Sequence, residues 1–539
     1  MRAADTAPRY DAAMVERYTR EGYWNDDTLI TYLERWAKET PDKAAIRTAD
    51  RDISYAELHA ASRRLANSLL DLGVAKQDVV AIQMPSWPEF LIAYYGTMMM
   101  GGILATMHMP YRGGEMEPLL NHGQAKAVIC TGPLPNHDAP ATMLALRERV
   151  DSLEHVIVAG DEVPAGALSL NALIAEGSQR DIADPPGPED FATLCFTSGT
   201  SAAPKGVMRD HRTFAANARY FSPTVDLSSD DVVMVAPPFT HVFGICCANL
   251  TLWVGGTVLL LPLFTPENYA ERLINGKPTM VFSAPAHLAS TVKSGLLDDA
   301  DLTSVRGVST GGSICASVVA SSFEACLSHG RVGHLFGMTE MILATQTPLD
   351  SAPEKRHGSA GPVTPGVEVR VTDPQGNILG SGEEGELEIM SYANLAGYLN
   401  NEAANKAAFT EDGWFRTGDL AVIDEDGFID ITGRVKDLIN RGGIKFNPTD
   451  LENTLLSHAA VVQAAIVPMP DEVLGEKACL FVTLTPGSSL SFDDMTGHLA
   501  ANGFAKMVWP ERLEVIDEMP ITPTRKIIKG ELAARLQGG

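Results

Sequence analysis

The chain has 539 residues, of which 45% are hydrophobic, 7% aromatic and 20% charged, a composition typical of a soluble globular protein. This length exceeds what one hydrophobic core usually organises, so it predicts two or more domains, at least one of them large. The formal net charge of −26 disfavours nucleic acid and anionic lipid as partners, and an anionic ligand would need local cations and backbone amides.

The cysteines and the N-terminus both favour a cytoplasmic protein. Seven cysteines, an odd number without C-x-x-C spacing, argue against a disulfide framework and against a zinc site. The first residues contain no apolar run of the kind found in signal peptides. The most apolar stretch, 250–263, is interrupted by Gly255 and Gly256 and is too short for a membrane span, so we expect a helix end, a turn and a buried strand there.

Helical patterns alternate with short β-branched runs along most of the chain. Residues 57–74 are helical in pattern and precede the continuously apolar run 79–84, as expected for a strand covered on both faces. Near 363–389 the pattern changes to short alternating strands with glycine-rich turns. We therefore predict an α/β protein whose large N-terminal domain, 1–433, has mixed sheets flanked by helices and a small antiparallel β subdomain. A small, mobile α+β domain, 434–539, should follow.

A loop rich in hydroxyl residues and glycine follows the apolar run 191–196. Residues 197–207 read TSGTSAAPKGV. Small residues let backbone amides approach oxyanions closely, and Lys205 adds a cation, so the loop is suited to holding a triphosphate. It is not a Walker A loop, because Gly206 rather than Ser or Thr follows the lysine. From composition alone, an ordinary surface loop is the alternative.

The loop resembles the signature loop of the adenylate-forming superfamily, which contains acyl-CoA synthetases, firefly luciferase and peptide-synthetase adenylation domains. The family pattern is TSGTTGxPKG, so the chain departs from it at Ser201 and Ala202. We expect altered loop mobility there rather than lost function. The resemblance implies that ATP phosphates are bound by Thr197, Ser198, Gly199, Thr200, Ser201 and Lys205.

Further segments resemble motifs of the same family in the same order. Residues 336–340 read FGMTE, and the resemblance implies that Phe336 stacks near adenine beside Gly337 and Met338, that Thr339 contacts the α-phosphate, and that Glu340 and Thr200 hold Mg²⁺. A carboxylate beside a triphosphate requires such a cation. The resemblance also implies that Gly311, Gly312 and Ser313 line adenine. It implies that Asp419 binds the ribose hydroxyls. In isolation, these segments would be a helix cap and turns.

The C-terminal motifs resemble those of the family's mobile domain. The segment 433–439, GRVKDLI, places Arg434 near ribose or phosphate and Lys436 at the family's hinge. Arg441, Gly442 and Gly443 would lead the face used for thioester formation after domain rotation. Residues 520–527, PITPTRKI, align Lys526 with the catalytic lysine, but Arg525 stands where the family has glycine and could stiffen the loop.

The segment 236–244, APPFTHVFG, resembles the acyl-pocket motif of acyl-CoA synthetases, in which a histidine gates the entrance. Val242 stands where amino-acid-activating relatives carry Asp and 2-hydroxyaryl-activating relatives carry Asn, which argues against both substrates. An apolar pocket favours a medium-chain, alicyclic or aromatic monoacid. The implied pocket residues are His241, Val242, Phe243, Gly244, Thr310, Gly311, Met338, Ile342 and Leu343.

Together the motifs imply a ligase that uses ATP and Mg²⁺ to form an acyl-adenylate and transfers the acyl group to coenzyme A. The catalytic residues would be Lys526, Thr200, Glu340 and His241, and the enzyme a monomer or homodimer. Three alternatives remain at this point: an enzyme that loads a separate acyl carrier protein, an oxidase of luciferase type, and an ATP-binding protein without catalysis. The departures at Ala202 and Arg525 are what suggest the last of these.

Overall fold

The computed structural model describes residues 2–197, 205–522 and 526–537. Within these ranges the strands are β1 Ala44–Arg47, β2 Asp52–Ser54, β3 Val79–Gln83, β4 Ile103–Thr106, β5 Ala125–Thr131, β6 His155–Ala159, β7 Leu168–Ser169, β8 Phe191–Thr197, β9 Lys205–Asp210, β10 Val232–Val235, β11 Thr257–Leu260, β12 Met280–Ser283, β13 Gly307–Thr310, β14 Arg331–Met338, β15 Ile342–Gln346, β16 Val367–Thr372, β17 Glu384–Ser391, β18 Phe415–Ile423, β19 Ile429–Arg434, β20 Ile439–Arg441, β21 Ile444–Phe446, β22 Val461–Asp471, β23 Gly475–Leu484 and β24 Arg512–Val515.

The α-helices in the same ranges are α1 Ala3–Thr6, α2 Ala12–Arg20, α3 Leu29–Glu39, α4 Tyr55–Asp71, α5 Pro88–Met99, α6 Gly113–Gly123, α7 Ala139–Arg147, α8 Leu170–Glu176, α9 His211–Phe221, α10 Val242–Trp253, α11 Pro266–Gly276, α12 Pro285–Lys293, α13 Ser317–Glu324, α14 Pro353–Gly358, α15 Glu402–Ala408, α16 Thr449–Leu455, α17 Phe492–Ala501 and α18 Lys529–Gln537. Short 3₁₀ turns cover Ser222–Val225, Val435–Asp437 and Lys506–Val508. No helix of the described ranges is both long and apolar enough to cross a membrane.

Two large, mainly parallel sheets form the N-terminal part of the structure. One has the order β7-β6-β5-β3-β4-β8-β9 and the other β15-β14-β13-β12-β10-β11-β1-β2. Strand β3 is buried along its whole length, and β11 likewise, because helices cover both faces. The predicted helix end, turn and strand in 250–263 are confirmed: α10 ends at Trp253, and Gly255, with φ +77°, turns the chain tightly against Trp36.

The predicted antiparallel β subdomain is also confirmed. Strands β16 to β19 form one antiparallel sheet that extends beyond the predicted range, to Arg434. A fourth sheet, of five strands β20 to β24, forms the C-terminal part of the structure with α16, α17 and α18. The predicted division between 433 and 434 therefore falls at the end of β19; as a boundary between domains it stays a prediction.

The C-terminal sheet and its helices contact the larger part of the protein at defined points. The Lys293 ammonium donates a hydrogen bond to the Val461 carbonyl at 2.8 Å. The Asn447 amide donates to the Thr432 carbonyl at 2.7 Å. Both contacts join side chains to backbone oxygen atoms, and they support the orientation that brings Lys526 to the site described below.

A buried polar network joins three helices in the main core. The Asn249 side chain of α10 accepts from the Tyr32 hydroxyl of α3 at 2.9 Å and donates to the Tyr94 hydroxyl of α5 at 2.9 Å. Tyr95 donates a longer bond of 3.3 Å to the same amide oxygen. Buried polar groups of this kind are stabilising only when they are all satisfied.

Substitution Asn249→Leu should lower stability by about 1–3 kcal/mol, because it leaves buried tyrosine hydroxyls without their partner. The apparent melting temperature, measured at one fixed scan rate, checks this. Asn275→Leu on the exposed face of α11 is the matched control and should leave the melting temperature near that of the unmodified protein. An equal decrease in both variants would contradict the importance of the network.

Candidate functional site

A cavity of about 600 Å³ opens between the N-terminal sheets, the antiparallel sheet and the C-terminal domain. Of the residues that the sequence predicts for the site, its lining contains Thr197, Lys205, His241, Val242, Phe243, Gly312, Gly337, Met338, Thr339, Glu340, Ile342, Leu343, Arg434, Lys436 and Lys526. These residues are far apart in sequence, and the cavity brings them together. The predicted constellation is therefore spatially contiguous, which the sequence pattern alone could only suggest.

The remaining predicted residues stand apart from the lining. Ser198, Gly199, Thr200, Ser201, Ala202 and Arg525 lie outside the described residues. Asp419 lies directly behind the lining, whereas Gly244, Thr310, Gly311, Ser313, Phe336, Arg441, Gly442 and Gly443 are not part of it. Two of the glycines are required by close packing, since a Cβ at Gly311 would lie 2.3 Å from the Leu335 side chain and one at Gly244 would lie 2.4 Å from the Pro238 carbonyl.

The ends of β8 and β9 position the two described ends of the predicted phosphate loop. Thr197 and Lys205 are direct cross-strand partners in this antiparallel pair, so the two described ends of the loop lie side by side. The Lys205 ammonium lies 5.0 Å from the centre of the Tyr398 ring, a favourable cation–π distance. Lys205 is thus placed at the cavity by the strand and by Tyr398.

The turn between β14 and β15 carries Thr339 and Glu340. Gly337 is required just before it, because a Cβ there would lie 2.1 Å from the Ile342 carbonyl. Glu340 is buried, and one of its carboxylate oxygens accepts a hydrogen bond from the Tyr398 hydroxyl at 2.9 Å. Burial and the neighbouring Glu340 raise the pKa of Tyr398, so its hydroxyl stays protonated and remains a donor. Tyr398 is a residue that the sequence reasoning missed.

Charged groups from three segments meet at the edge of the antiparallel sheet. Arg434 forms an ion pair of 2.8 Å with the buried Asp419 carboxylate. Burial raises the pKa of Asp419, although the positive charges of Arg434 and Lys526 act in the opposite direction. The Asp419 side chain is thus a poorly solvated acceptor, already paired with one guanidinium and facing an ammonium.

Lys526 reaches the cavity from the C-terminal domain. Its backbone N–H donates to the Thr522 hydroxyl at 3.0 Å, and the Thr522 N–H donates to the Lys526 carbonyl at 2.8 Å. These two hydrogen bonds join the described residues that flank 523–525. Water still reaches the side chain from the open cavity, yet the surrounding protein removes enough water to lower the pKa of Lys526. Arg434 lowers it further, whereas Asp419 and Glu340 favour the charged form.

His241 is the N-cap of α10, and this fixes how its imidazole can act. Nδ1 accepts a hydrogen bond from the Phe243 N–H at 3.1 Å, so a neutral ring carries its proton on Nε2. Burial, with smaller effects from Lys526 and His108, holds the pKa of His241 well below its ordinary value. The ring is therefore a neutral hydrogen-bond donor at neutral pH, which its position in the sequence motif did not indicate.

The apolar part of the cavity lies along the first turns of α10 and the start of β15. Val242, Phe243 and Cys246 contribute from the helix, and Ile342 and Leu343 contribute from the strand. His108 is a second missed residue. Its ring is nearly parallel to that of His241, with the ring centres 6.1 Å apart, and burial lowers the pKa of His108 to about 4. All of these groups are uncharged at neutral pH, so the wall suits an uncharged substituent.

Among the described residues, no cluster of three or more His, Cys, Asp or Glu side chains is placed to hold a metal by itself. Glu340 and Glu386 both line the cavity, and Glu340 is the one that follows Thr339 and contacts Tyr398, the ring beside Lys205. In the described part of the chain its second oxygen, Oε2, has no hydrogen bond. This arrangement fits a cation shared with a phosphate ligand rather than one caged by protein.

Comparison with known proteins agrees with this geometry. The model of the family described as AMP-binding enzyme matches residues 33–399, and that of the AMP-binding enzyme C-terminal domain matches 450–526. The medium-chain fatty-acid–CoA ligase of Escherichia coli (strain K12) is 30% identical over 95% of this chain and 91% of its own length.

A second relative and a solved structure extend the comparison. The salicyl-AMP ligase / salicyl-S-ArCP synthetase of Mycobacterium tuberculosis (strain H37Rv) is 32% identical over 99% of this chain and 94% of its own. The crystal structure of ATP-bound MatB from Rhodopseudomonas palustris superposes with a TM-score of 0.85, covering 94% of this chain and 99% of that one at 28% identity. The matched models span most of the chain, and the predicted family is confirmed: this protein belongs to the AMP-binding enzymes, the adenylate-forming superfamily of AMP-forming carboxylate ligases.

Proposed function

We propose that the protein activates an apolar monocarboxylic acid with ATP and transfers the acyl group to coenzyme A, releasing AMP and pyrophosphate. One observation carries the proposal: Lys526 of the C-terminal domain enters the same cavity as Glu340, Lys205 and the apolar wall of α10. The arrangement suits the first half-reaction, in which the acid carboxylate attacks the α-phosphorus and pyrophosphate leaves.

The nucleotide would lie along the edge of the antiparallel sheet. Asp419 has two acceptor oxygens suited to the ribose hydroxyls, and its ion pair with Arg434 orients it. Gly312 would pass beside adenine on one side, and Gly337 with Met338 on the other, because these are the residues of the two motifs that line the cavity. Thr339 is at the correct end of this segment to meet the α-phosphate.

Cations would then neutralise the phosphates. Lys205 and residues 197–201 would hold the β- and γ-phosphates, whereas Lys526 would face the α-phosphate and the entering carboxylate. Magnesium, when bound, would neutralise charge on the phosphate oxygens, and Glu340 with Thr200 would hold it. Charge developing on the pentacoordinate phosphorus would be stabilised mainly by Lys526.

His241 would orient the acid. Its neutral Nε2–H can donate to the substrate carboxylate without competing with Lys526 for a proton, because Nδ1 is occupied by the Phe243 N–H. Beyond it, Val242, Phe243, Leu343 and Cys246 line the cavity and would surround the substituent of the acid. An apolar ring or a medium-length chain suits this wall, whereas an ammonium group would be desolvated without a partner.

The second half-reaction needs no protein nucleophile, since the thiol attacks the mixed anhydride and AMP leaves. Cys246 lines the cavity, but burial holds the pKa of its thiol well above the ordinary value, so it stays protonated and unreactive. Lys436 lies at the proposed hinge, and rotation there would exchange Lys526 for the loop of Arg441, Gly442 and Gly443. That loop is a hairpin between β20 and β21, with both glycines at positive φ.

A carrier-protein thiol is the second candidate acceptor. The relative named as a salicyl-S-ArCP synthetase matches 99% of this chain, which is the specific observation in its favour. Its acid differs from the one proposed, because Val242 offers no hydrogen bond to the hydroxyl of a 2-hydroxyaryl acid. The acceptor and the acid are therefore separate questions for experiment.

The first of three tests of the proposed reaction concerns Lys526. Lys526→Ala should slow ATP–pyrophosphate exchange by about 10²–10³-fold, because a cation aimed at developing charge is lost. Lys529→Ala is the matched control, since Lys529 forms an ion pair of 2.7 Å with the partly buried Glu452 rather than entering the cavity. That variant should melt earlier yet retain exchange. Normal exchange in Lys526→Ala would refute the assignment.

The second prediction concerns His241. His241→Phe should raise the KM for the acid by about 10–100-fold, as expected when a hydrogen bond to a charged group is lost. His241→Asn, which can both cap α10 and donate an N–H, should retain most of the affinity. Because the pKa of His241 is far below neutrality, the ratio of the two variants should be the same at about pH 6 and about pH 8. A ratio that changes with pH would show that the imidazole titrates.

The third prediction identifies acid and acceptor together. Exchange measured with octanoate, cyclohexanecarboxylate, benzoate, salicylate and a neutral amino acid should be fastest with one of the first three. AMP release with the best acid should then rise several-fold on addition of coenzyme A. Fast release only with a phosphopantetheinylated carrier protein would favour the alternative acceptor, and formation of ADP would overturn the proposed function.

A further inference from the structure

Arg209 is a buried cation that the mechanism above does not use. It lies on β9, four residues after Lys205, with 1% of its surface exposed. Among the described residues it has no ion-pair partner, since the adjacent Asp210 pairs with Arg212 at 2.7 Å. Burial of an arginine is costly unless its donors are satisfied, so its contacts require an explanation.

Its donors converge on the turn that carries Glu340. Nη2 and Nε donate to the Thr339 carbonyl at 2.6 and 3.1 Å, and Nη1 donates to the Ala393 carbonyl at 2.7 Å. The Arg209 guanidinium thereby joins the turn after β14 to the segment after β17. A lysine ammonium is a single point rather than a planar fork, so it would not reproduce these three donations in the same geometry.

The segment after β17 holds Glu340 by two further contacts. The Leu395 N–H donates to the Glu340 carbonyl at 2.7 Å, and the Tyr398 hydroxyl donates to the Glu340 carboxylate at 2.9 Å. Tyr398 in turn pairs with Val207 of β9, the strand that also carries Arg209. Arg209 thus holds the carbonyl before Glu340, whereas Leu395 and Tyr398 hold the Glu340 carbonyl and carboxylate.

That segment is itself anchored from behind by the N-terminal residues. The Trp24 indole N–H donates to the Tyr392 carbonyl at 3.1 Å, and the Tyr10 hydroxyl donates to the Asn394 carbonyl at 2.7 Å. Both aromatic residues precede residue 33, where the match to the AMP-binding enzyme model begins. The support of Glu340 therefore extends into a part of this chain outside the matched region.

We propose that Arg209 and Tyr398 act together as positioning residues, a clamp that sets Thr339 and Glu340 in the geometry for phosphate and magnesium before ATP binds. The inference rests on the proposed function, because it takes Glu340 as the magnesium ligand. Neither residue exchanges a proton or touches the reacting atoms. Substitution of either residue should therefore weaken the binding of metal and ATP and lower kcat. The KM for the acid should stay unchanged.

The test uses the full-length protein and two conservative variants. Tyr398→Phe keeps the ring beneath Lys205 and removes only the hydroxyl, and it should raise the Mg²⁺ concentration for half-maximal ATP–pyrophosphate exchange by about 3–10-fold. Binding of Mn²⁺ in the presence of ATP and without acid, followed by electron paramagnetic resonance, should weaken by a similar factor. Arg209→Lys should lower kcat by about tenfold or more and should also weaken Mn²⁺ binding.

Matched controls separate positioning from simple structural support. Arg356→Lys removes a buried arginine that is paired with Glu324 away from the cavity, and Tyr269→Phe removes a buried hydroxyl bonded to Ser283. Both should lower the melting temperature without changing the Mg²⁺ dependence. In the double variant of Arg209 and Tyr398 the two effects should combine to less than their product, because both residues act on one turn.

Several results would overturn the clamp. These are an unchanged Mg²⁺ dependence and Mn²⁺ affinity in Tyr398→Phe, an Arg209→Lys enzyme that differs from the unmodified one only in melting temperature, or fully multiplicative effects. If Arg209→Lys fails to fold, Tyr398→Phe decides alone. Failure of the proposed function is a distinct outcome, because the unmodified protein would then show no exchange with any acid.

Discussion

The site depends on concentrating a few positive charges in a protein whose net charge is −26. ATP is itself an anion, so the chain as a whole repels it, and binding depends on local fields. Three cations of the cavity come from separate places: Lys205 from the start of β9, Arg434 from the end of β19, and Lys526 from the C-terminal loop. The sheets supply the first two through strand ends, whereas the third requires the C-terminal domain to pack against the cavity.

Buried carboxylates offset the repulsion among these cations. Asp419 pairs with Arg434, and together with Glu340 it favours the charged form of Lys526. Because each carboxylate is poorly solvated, it interacts strongly with the cations around it. The neutral rings of His108 and His241 add no charge of their own, so the wall along α10 stays apolar while the edge of the antiparallel sheet, with Asp419 and Arg434, is highly charged. This separation suits a substrate with an anionic head and an apolar body.

Much of the fold and of the site could be predicted from sequence because the relevant signals are local. Continuous apolar runs identified buried strands, alternation identified the antiparallel sheet, and contiguous motifs identified Lys205, Glu340 and Lys526. The missed residues depend on contacts between distant segments: Arg209 meets Thr339, and Tyr398 meets Glu340, only after β9 and the segment following β17 pack together. The tautomer of His241 was likewise beyond reach, since it follows from the cap geometry of α10.

The depressed basicity of Lys526 has a consequence for the timing of catalysis. Surrounding protein and Arg434 disfavour the charged form of Lys526 in the cavity relative to water. Without nucleotide, the protein therefore gains little from placing this ammonium in the cavity. Nucleotide phosphates would reverse that balance, and their departure as pyrophosphate would restore it. In the proposed reaction the charged form of Lys526 would therefore be favoured in the cavity mainly while nucleotide phosphates are present, which would tie the charge state of this side chain to the progress of the first half-reaction.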